Sequence, residues 1–461
     1  VTAQLRTTEG LVDAVRYAAE QLESDIAAGP VTPEVTPPEI RDFLASHYDF
    51  GTPASLEAIG ADVEEMLRKW QVHVTHPRYF GLFNPSVTPA SVLADTLAAM
   101  YNPQLATWRT SPAANEIERH TLSWLAGKFG FAADAAASFT SGGAEANLSA
   151  VTVSLTRAFP AYAEQGLRGL SGAPTVYLTS EAHHSFAKIA HVTGLGRSAL
   201  RIVATDPDLK MNVADLARKV DEDRSSGLAP FLVVGTCGTT AAGIIDPLSG
   251  IARFCRSRGL WFHVDAAWGG AAVLSPLLKV HLAGIEQADS ITCDAHKWFS
   301  VPMGAGMFFC RHADSVAETF RAATPYMPKP TAGPVVDPYT TSLQWSRRFI
   351  GLKLFFSLAH HGESGYIGMI EHQAQMGRLL RSLLEQSGWR MVNDTPLPVL
   401  CFTRDGLDPV KFVASLLERQ IAWMSVTQVG GASVVRACIT SFRTTETDIV
   451  WVVREMKRLV D

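Results

Sequence analysis

The sequence predicts an α/β fold: a largely parallel sheet covered by helices on both faces, with a helical segment before it and a small α+β domain after it. Three observations carry that prediction. From about residue 86 to 355, strand-like and helix-period segments alternate, as they do where helices connect parallel strands. The strand-like runs, such as Phe231-Leu-Val-Val-Gly-Thr236, are apolar throughout, as expected of strands buried on both faces. The chain has 461 residues, 47% of them hydrophobic, enough for a large core and a second domain.

The elements follow in order. Within residues 1–85, Leu11, Val12, Val15 and Ala18-Ala19 recur at helical spacing, the proline-rich stretch Gly29 to Pro38 interrupts, and Leu56 to Trp70 resumes. This helical arm is not expected to bury itself alone. Residues 86–355 form the large domain. Residues 356–461 form the small α+β domain, with Leu397 to Phe402 and Val434 to Thr440 as its clearest strands. There is no internal repeat or low-complexity segment.

The chemistry centres on Lys297, in Ser290-Ile-Thr-Cys-Asp-Ala-His-Lys-Trp-Phe-Ser-Val-Pro-Met-Gly-Ala-Gly-Met-Phe-Phe309. A lysine lodged between two apolar runs is kept from full hydration, which lowers its pKa and frees the lone pair for a Schiff base with an aldehyde cofactor. An isolated lysine would more often snorkel to the surface. Here it is accompanied by Gly259-Leu-Trp-Phe-His-Val-Asp-Ala-Ala-Trp-Gly-Gly270, which reads as a buried strand ending in Asp265. In an open α/β sheet that edge is where ligands bind. An acid there can serve as a helix cap. Paired with a Schiff-base lysine, it meets the need of pyridoxal 5′-phosphate (PLP) for a carboxylate that keeps the ring nitrogen protonated.

Ala137-Ser-Phe-Thr-Ser-Gly-Gly-Ala-Glu-Ala-Asn-Leu-Ser-Ala150 adds a glycine turn running into a helix, an arrangement that cups phosphate at the positive end of the helix dipole. It lacks the spacing of a dinucleotide fingerprint and the Gly-Lys-Ser/Thr of a P-loop. Thr175 to Phe186 reads as a strand delivering His183 and His184 to its C-terminal end, where an imidazole can stack on the cofactor ring. The Thr239-Thr240 hydroxyls are placed to donate to phosphate, and Asp246-Pro247 opens the next helix. No cluster has zinc-like spacing, so no metal is expected.

In these motifs, above all His-Val-Asp-Ala-Ala, Asp-Ala-His-Lys-Trp and the threonine pair, the chain resembles the group II PLP-dependent amino-acid decarboxylases, from about His76 to the C-terminal domain. This group includes aromatic-amino-acid, tyrosine, histidine and glutamate decarboxylases. The resemblance implies fold type I, the aspartate-aminotransferase-like architecture. It implies Lys297 as the Schiff-base lysine, Asp265 as the ring-nitrogen partner, Ala267 as a small residue under the ring and His184 as the stacking imidazole. Gly143, Ala144, Thr240 and His296 would hold the phosphate, Ala144 standing where the family often has serine. The N-terminal segment would pack on a second copy, giving a homodimer with active sites at the subunit interface. Tyr326, in a loop rich in proline, would protonate the substrate's α-carbon after carbon dioxide leaves, in a neighbouring subunit's site. Aldehyde-forming relatives tend to carry phenylalanine there, so the tyrosine favours an amine product.

The expected activity is thus decarboxylation of an L-amino acid to its amine, with aromatic substrates narrowly favoured. Phe83, Pro85, Gln104 and Trp108 are the expected substrate-lining residues, and Phe80, Asn84 and Arg109 lie in the same stretches. The family's aromatic branch usually has a threonine near Pro85 and bulky apolar residues near Gln104 and Ala106, so acidic and aliphatic substrates stay open, and Arg109 could pair with an acidic side chain. The rivals are another PLP reaction (oxidative deamination to an aldehyde, transamination or carbon–sulfur cleavage) and a non-catalytic scaffold. The net charge of −5 without basic blocks gives no reason to expect nucleic acid or anionic membrane as partner. Charged residues Arg6, Glu9, Asp13 and Arg16 argue against a signal peptide or anchor, and no apolar run approaches the roughly 20 residues of a membrane span. Six scattered cysteines read as reduced core residues of a cytoplasmic enzyme.

Overall fold

Seven short runs of β-branched and aromatic residues assemble into one sheet in the computed structural model, which describes residues 29–321 and 335–460 together with positions 16, 19, 20 and 26. They are β1 (Ala136–Thr140), β2 (Pro174–Thr179), β3 (Leu200–Val203), β4 (Ala229–Thr236), β5 (Trp261–Asp265), β6 (Ser290–Asp294) and β7 (Gly306–Cys310). Their order is β1-β7-β6-β5-β4-β2-β3. Pairing is parallel from β6 across to β3, whereas β7 runs antiparallel to both β6 and β1. The antiparallel strand had no signature in the sequence, because β7 is as apolar as its parallel neighbours.

Successive strand residues serve opposite faces of the sheet, and both faces are buried. Val233, Phe262, Val264, Met307 and Phe309 join one core with Leu125, Leu248, Ile251 and Trp298. Leu232, Val234, Trp261 and Phe308 join the other, under Ala146, Ala150 and Val153 of the helix Gly143–Ala158. Each fully buried Val, Leu or Phe contributes about 1.5–3 kcal/mol relative to exposure.

A second sheet is antiparallel, in the order β10-β11-β9-β8, formed by β8 (Arg390–Met391), β9 (Val399–Thr403), β10 (Ser425–Val429) and β11 (Ala432–Cys438). Leu400, Phe402, Val435 and Ala437 pack against Phe412, Leu416, Ile449 and Val452 of its covering helices. The expected boundary at 355/356 falls inside the helix Leu352–Gln386, which kinks at Gly362 (φ 65°). This helix packs on Pro89–Tyr101 of the large domain and on Glu446–Val460 of the small one.

The helices Pro37–His47 and Leu56–Trp70 bury no residue. The second is capped by Ser55, whose side chain accepts from the Ala58 N–H, and carries Leu56, Ile59, Val63, Met66, Leu67 and Trp70 at spacings of one to four residues along one stripe. Leu56 is 88% exposed and Leu67 57%.

Candidate active site

The C-terminal edge of the large sheet opens into a cavity of about 240 Å³. Strand register sets its floor: Thr236 of β4, Asp265 of β5 and Thr292 of β6 stand side by side, and Asp294 of β6 pairs with Gly306 of β7. Gly306 also pairs with Thr140 of β1, just before the glycine turn. A side chain at Gly306 would collide with Thr140 Oγ1 and the Gly142 backbone, and one at Gly143 would come within 2.9 Å of Asp294 Oδ2. These two glycines let the N-terminus of the helix Gly143–Ala158 descend onto the strand ends.

Asp265 is 5% exposed and doubly held: Asn147 Nδ2 donates to Oδ2 (2.9 Å) and the Ala267 N–H donates to Oδ1 (3.1 Å). Lys297 lies in the turn after β6, with Nζ 3.0 Å from Asp294 Oδ2. His296 Nε2 is 3.7 Å from the same oxygen, and its Nδ1 accepts from the Ala305 N–H (3.2 Å), which leaves the ring proton on Nε2. His183 Nδ1 likewise accepts from the Ser185 N–H (3.2 Å). Burial pushes both imidazoles below their ordinary pKa, so both are neutral near pH 7. One wall is a stack of three rings: Phe83 on Trp268 (4.6 Å, 26°) and Trp268 on Trp298 (5.0 Å, 11°). Lys297 Nζ is 5.8 Å from the Phe83 ring centre.

Of the residues expected from the sequence, Gly143, Ala144, Thr240, Asp265, Ala267, His296, Lys297 and Phe83 all line this one cavity. His184 does not. Besides His296, the lining imidazole is His183, which lies near Asp265 and Lys297, whereas His184, exposed like His183, is off the cavity and neighbours Glu181. The strand ends at Thr179, and the turn that follows puts the first histidine on the cavity and leaves the second off it. Pro85 is buried away from the cavity, and Gln104 and Trp108 are not on it either. Gln104 donates to Ser346 Oγ (3.2 Å) and accepts from the Ala106 N–H, and Trp108 Nε1 donates to Glu116 (2.9 Å). Arg109 is exposed. Tyr326 lies outside the described residues.

Sequence reasoning missed Asn147, Asp294, Thr236, Trp268 and Arg436. Asn147 stands one helical turn after Gly143 and Asp294 three residues before Lys297, spacings that could have found them. Arg436 is a cation inside the apolar run Val434-Val-Arg-Ala-Cys438. It is 3% exposed and off the cavity lining, donates to the carbonyls of Thr240, Ala241 and Gly81, has no partner at Nη2 among the described residues, and lies 4.9 Å from the Phe83 ring centre.

These residues fit an aldehyde cofactor that carries a ring nitrogen and a phosphate. An amine, a buried carboxylate and a helix N-terminus converge on one space. Thr236 Oγ1 and Asp294 Oδ1 on its lining are buried without partners among the described residues, and such groups are costly unless something polar joins them. Among the described residues no cluster of His, Cys, Asp and Glu could hold a metal ion.

Comparison with known proteins agrees with this geometry. A family model described as the pyridoxal-dependent decarboxylase conserved domain matches residues 46–404. The aromatic-L-amino-acid decarboxylase of Bacillus atrophaeus is 27% identical over 427 residues, covering 88% of this chain and 87% of that protein. The histidine decarboxylase of Drosophila melanogaster is 31% identical over 454 residues, covering 95% of this chain and 53% of that protein. The crystal structure of Oryza sativa TDC with PLP and tryptamine superposes with a TM-score of 0.92 at 22% identity over 99% of both chains, a likeness of fold.

Proposed function

The chain belongs to the pyridoxal-dependent decarboxylase family, carboxy-lyases that work with PLP, and on that premise we propose that it converts an aromatic L-amino acid to its amine and carbon dioxide. The observation that carries the substrate reading is the Phe83–Trp268 stack beside Lys297, a flat apolar wall against which an aromatic side chain packs. When bound, the cofactor supplies an aldehyde that takes up the substrate's amine and a ring that accepts the electron pair left when the carboxylate departs.

The chain's own residues do the rest. Lys297 would anchor the cofactor through its aldehyde, and Asp265, held by Asn147 and the Ala267 N–H, would keep the ring nitrogen protonated. His183, rather than His184, stacks on the ring as a neutral imidazole. Gly143, Ala144, Thr240 and His296 hold the phosphate at the helix N-terminus. Arg436, buried beside Phe83 and bonded to the Thr240, Ala241 and Gly81 carbonyls, would steady that wall from behind. Tyr326 returns a proton to the α-carbon, by resemblance to the amine-forming decarboxylases, and so sets the product.

The active form is a homodimer. Support comes from the unburied apolar stripe of Leu56–Trp70, from Phe50 at 94% exposure, and from Met100 and Tyr101 at 59% and 82% at the end of the helix Pro89–Tyr101. On this arrangement Gln104 and Trp108, off the cavity of their own subunit, serve the partner's site. All six cysteines are buried and unpaired, which fits the cytoplasm. Among the described residues no helix is long and apolar enough to cross a membrane.

The test is to incubate the PLP-loaded protein with single L-amino acids, follow carbon dioxide and identify the organic product by mass. Amine in one-to-one yield with carbon dioxide from tryptophan, tyrosine or phenylalanine is the expected result. Turnover of aspartate or glutamate alone would overturn the substrate reading, and aldehyde with ammonia would overturn the role of Tyr326.

A further inference from the structure

From Asp265 and Asn147, which line the cavity, a line of five buried polar side chains runs back through His263 and Ser290 to Trp261; Trp261, Ser290, His263, Asn147 and Asp265 are exposed by 7%, 0%, 0%, 1% and 5%. Trp261 Nε1 is 2.9 Å from Ser290 Oγ, Ser290 Oγ is 2.9 Å from His263 Nδ1, His263 Nε2 is 3.0 Å from Asn147 Oδ1, and Asn147 Nδ2 is 2.9 Å from Asp265 Oδ2. The two ends of the line fix its polarity. An indole N–H can only donate and an ionised carboxylate can only accept. Between them, a neutral imidazole has one N–H. If it sat on Nδ1, the bare Nε2 would face the Asn147 oxygen; turning the amide over to cure that would press its oxygen against Asp265. One arrangement satisfies every atom: each group donates toward Asp265, with the His263 proton on Nε2. The competing side-chain contacts, Thr292 to His263 and Ser185 to Asn147, are both 3.5 Å, and the Ser290 backbone is a further polar group against the His263 ring.

We propose that Asn147, oriented by His263 through this one-way relay, is the positioning residue that sets how fully Asp265 leaves the proton on the cofactor's ring nitrogen. The inference rests on the reading of Asp265 as the ring-nitrogen partner. A carboxylate with one donor removed shares that proton more evenly, so the ring carries less positive charge and pulls less on the Lys297 nitrogen. The other charged or titratable groups around Asp265 are His183, the buried thiols Cys237 and Cys293, and Lys297 and Asp294 on the same cavity, and the relay is hydrogen-bonded to none of them.

The test uses purified PLP-loaded protein and the variants Asn147→Leu, His263→Leu and His263→Gln, with folding checked by circular dichroism. The readouts are the cofactor's Kd and the pH midpoint of its visible absorption band. Asn147→Leu and His263→Leu are expected to raise Kd about tenfold, the cost of one hydrogen bond to a charged group, and to move the midpoint up by about one pH unit. His263→Gln, which can still donate to Asn147, is expected to restore the wild-type midpoint. If Asn147→Leu weakens binding without moving the midpoint, its role is structural and the proposal is wrong. Should Asn147→Leu not fold, an equal midpoint in the two His263 variants overturns it as well. A wild-type protein with no visible band at all would instead sink the reading of Lys297 and Asp265 on which the relay rests.

Discussion

On the floor of the cavity, Asp265 and Asp294 are 5% and 2% exposed, stand at strand ends, and each is bound or paired to a neighbour fixed by the sheet. At its mouth, Met303 is 63% exposed; Gln104 and Trp108 sit off the cavity, on a loop whose side chains bond to Ser346 and Glu116. The floor is set by backbone register, which moves only if the sheet does. The mouth is set by loops and by what packs on them. Cofactor chemistry therefore belongs to the rigid half and substrate choice to the adjustable one.

Substitutions on the floor should be the most damaging. Lys297→Ala is expected to abolish the cofactor's visible band and slow carbon dioxide release by about a thousandfold or more, measured spectrally and by single-turnover assay. Asp265→Asn keeps the side chain's size and removes its charge, and a fall of about a hundredfold in kcat is expected with the cofactor still bound. A loss below threefold in either would break the assignment of chemistry to the floor.

Burial of the floor also makes a pH prediction. Burial pushes His263 down to about 4 from an ordinary 6.5. Between those values the unfolded chain binds a proton that the folded one refuses, so the stabilisation is complete above about 6.5 and is lost as pH falls toward 4. The loss approaches about 1.4 kcal/mol per pH unit in the middle of that window. Thermal melts of cofactor-free protein should show it, and His263→Gln should flatten the slope.

Two neighbouring histidines sharpen the contrast further. His183→Ala should lower turnover about tenfold through lost ring stacking, while His184→Ala, at an exposed site, should stay within about twofold. The reverse order would return the role to His184. The smallest effect belongs to the mouth: Gln104→Leu should leave the cofactor's Kd within about twofold, since it touches no floor residue. If Kd moved as much as for Asn147→Leu, floor and mouth would not be separable.

The floor was legible because its chemistry is written in short runs. Lys297 and Asp294 share one strand-and-turn segment, Asp265 ends an apolar strand, and Gly143 opens a helix, so strand ends at one sheet edge suffice to bring them together. His183 and His184 were separable only by the direction of a turn, which adjacent identical residues do not encode. Asn147 reaches the site from a helix, and Arg436 comes from the second sheet to stand against Phe83. Their partners Asp265 and Gly81 lie 118 and 355 residues away, and no local pattern records such a meeting.

By itself the sequence determined the α/β class and the segments that bring Gly143, Asp265 and Lys297 to one sheet edge, because hydrophobic period and strand-end residue type act over a few neighbours. Tertiary structure alone decided the antiparallel placement of β7, which histidine faces the ring space, and the line from Trp261 to Asp265. Each of these depends on register or on side-chain direction between distant elements, and those are settled only when the sheet closes.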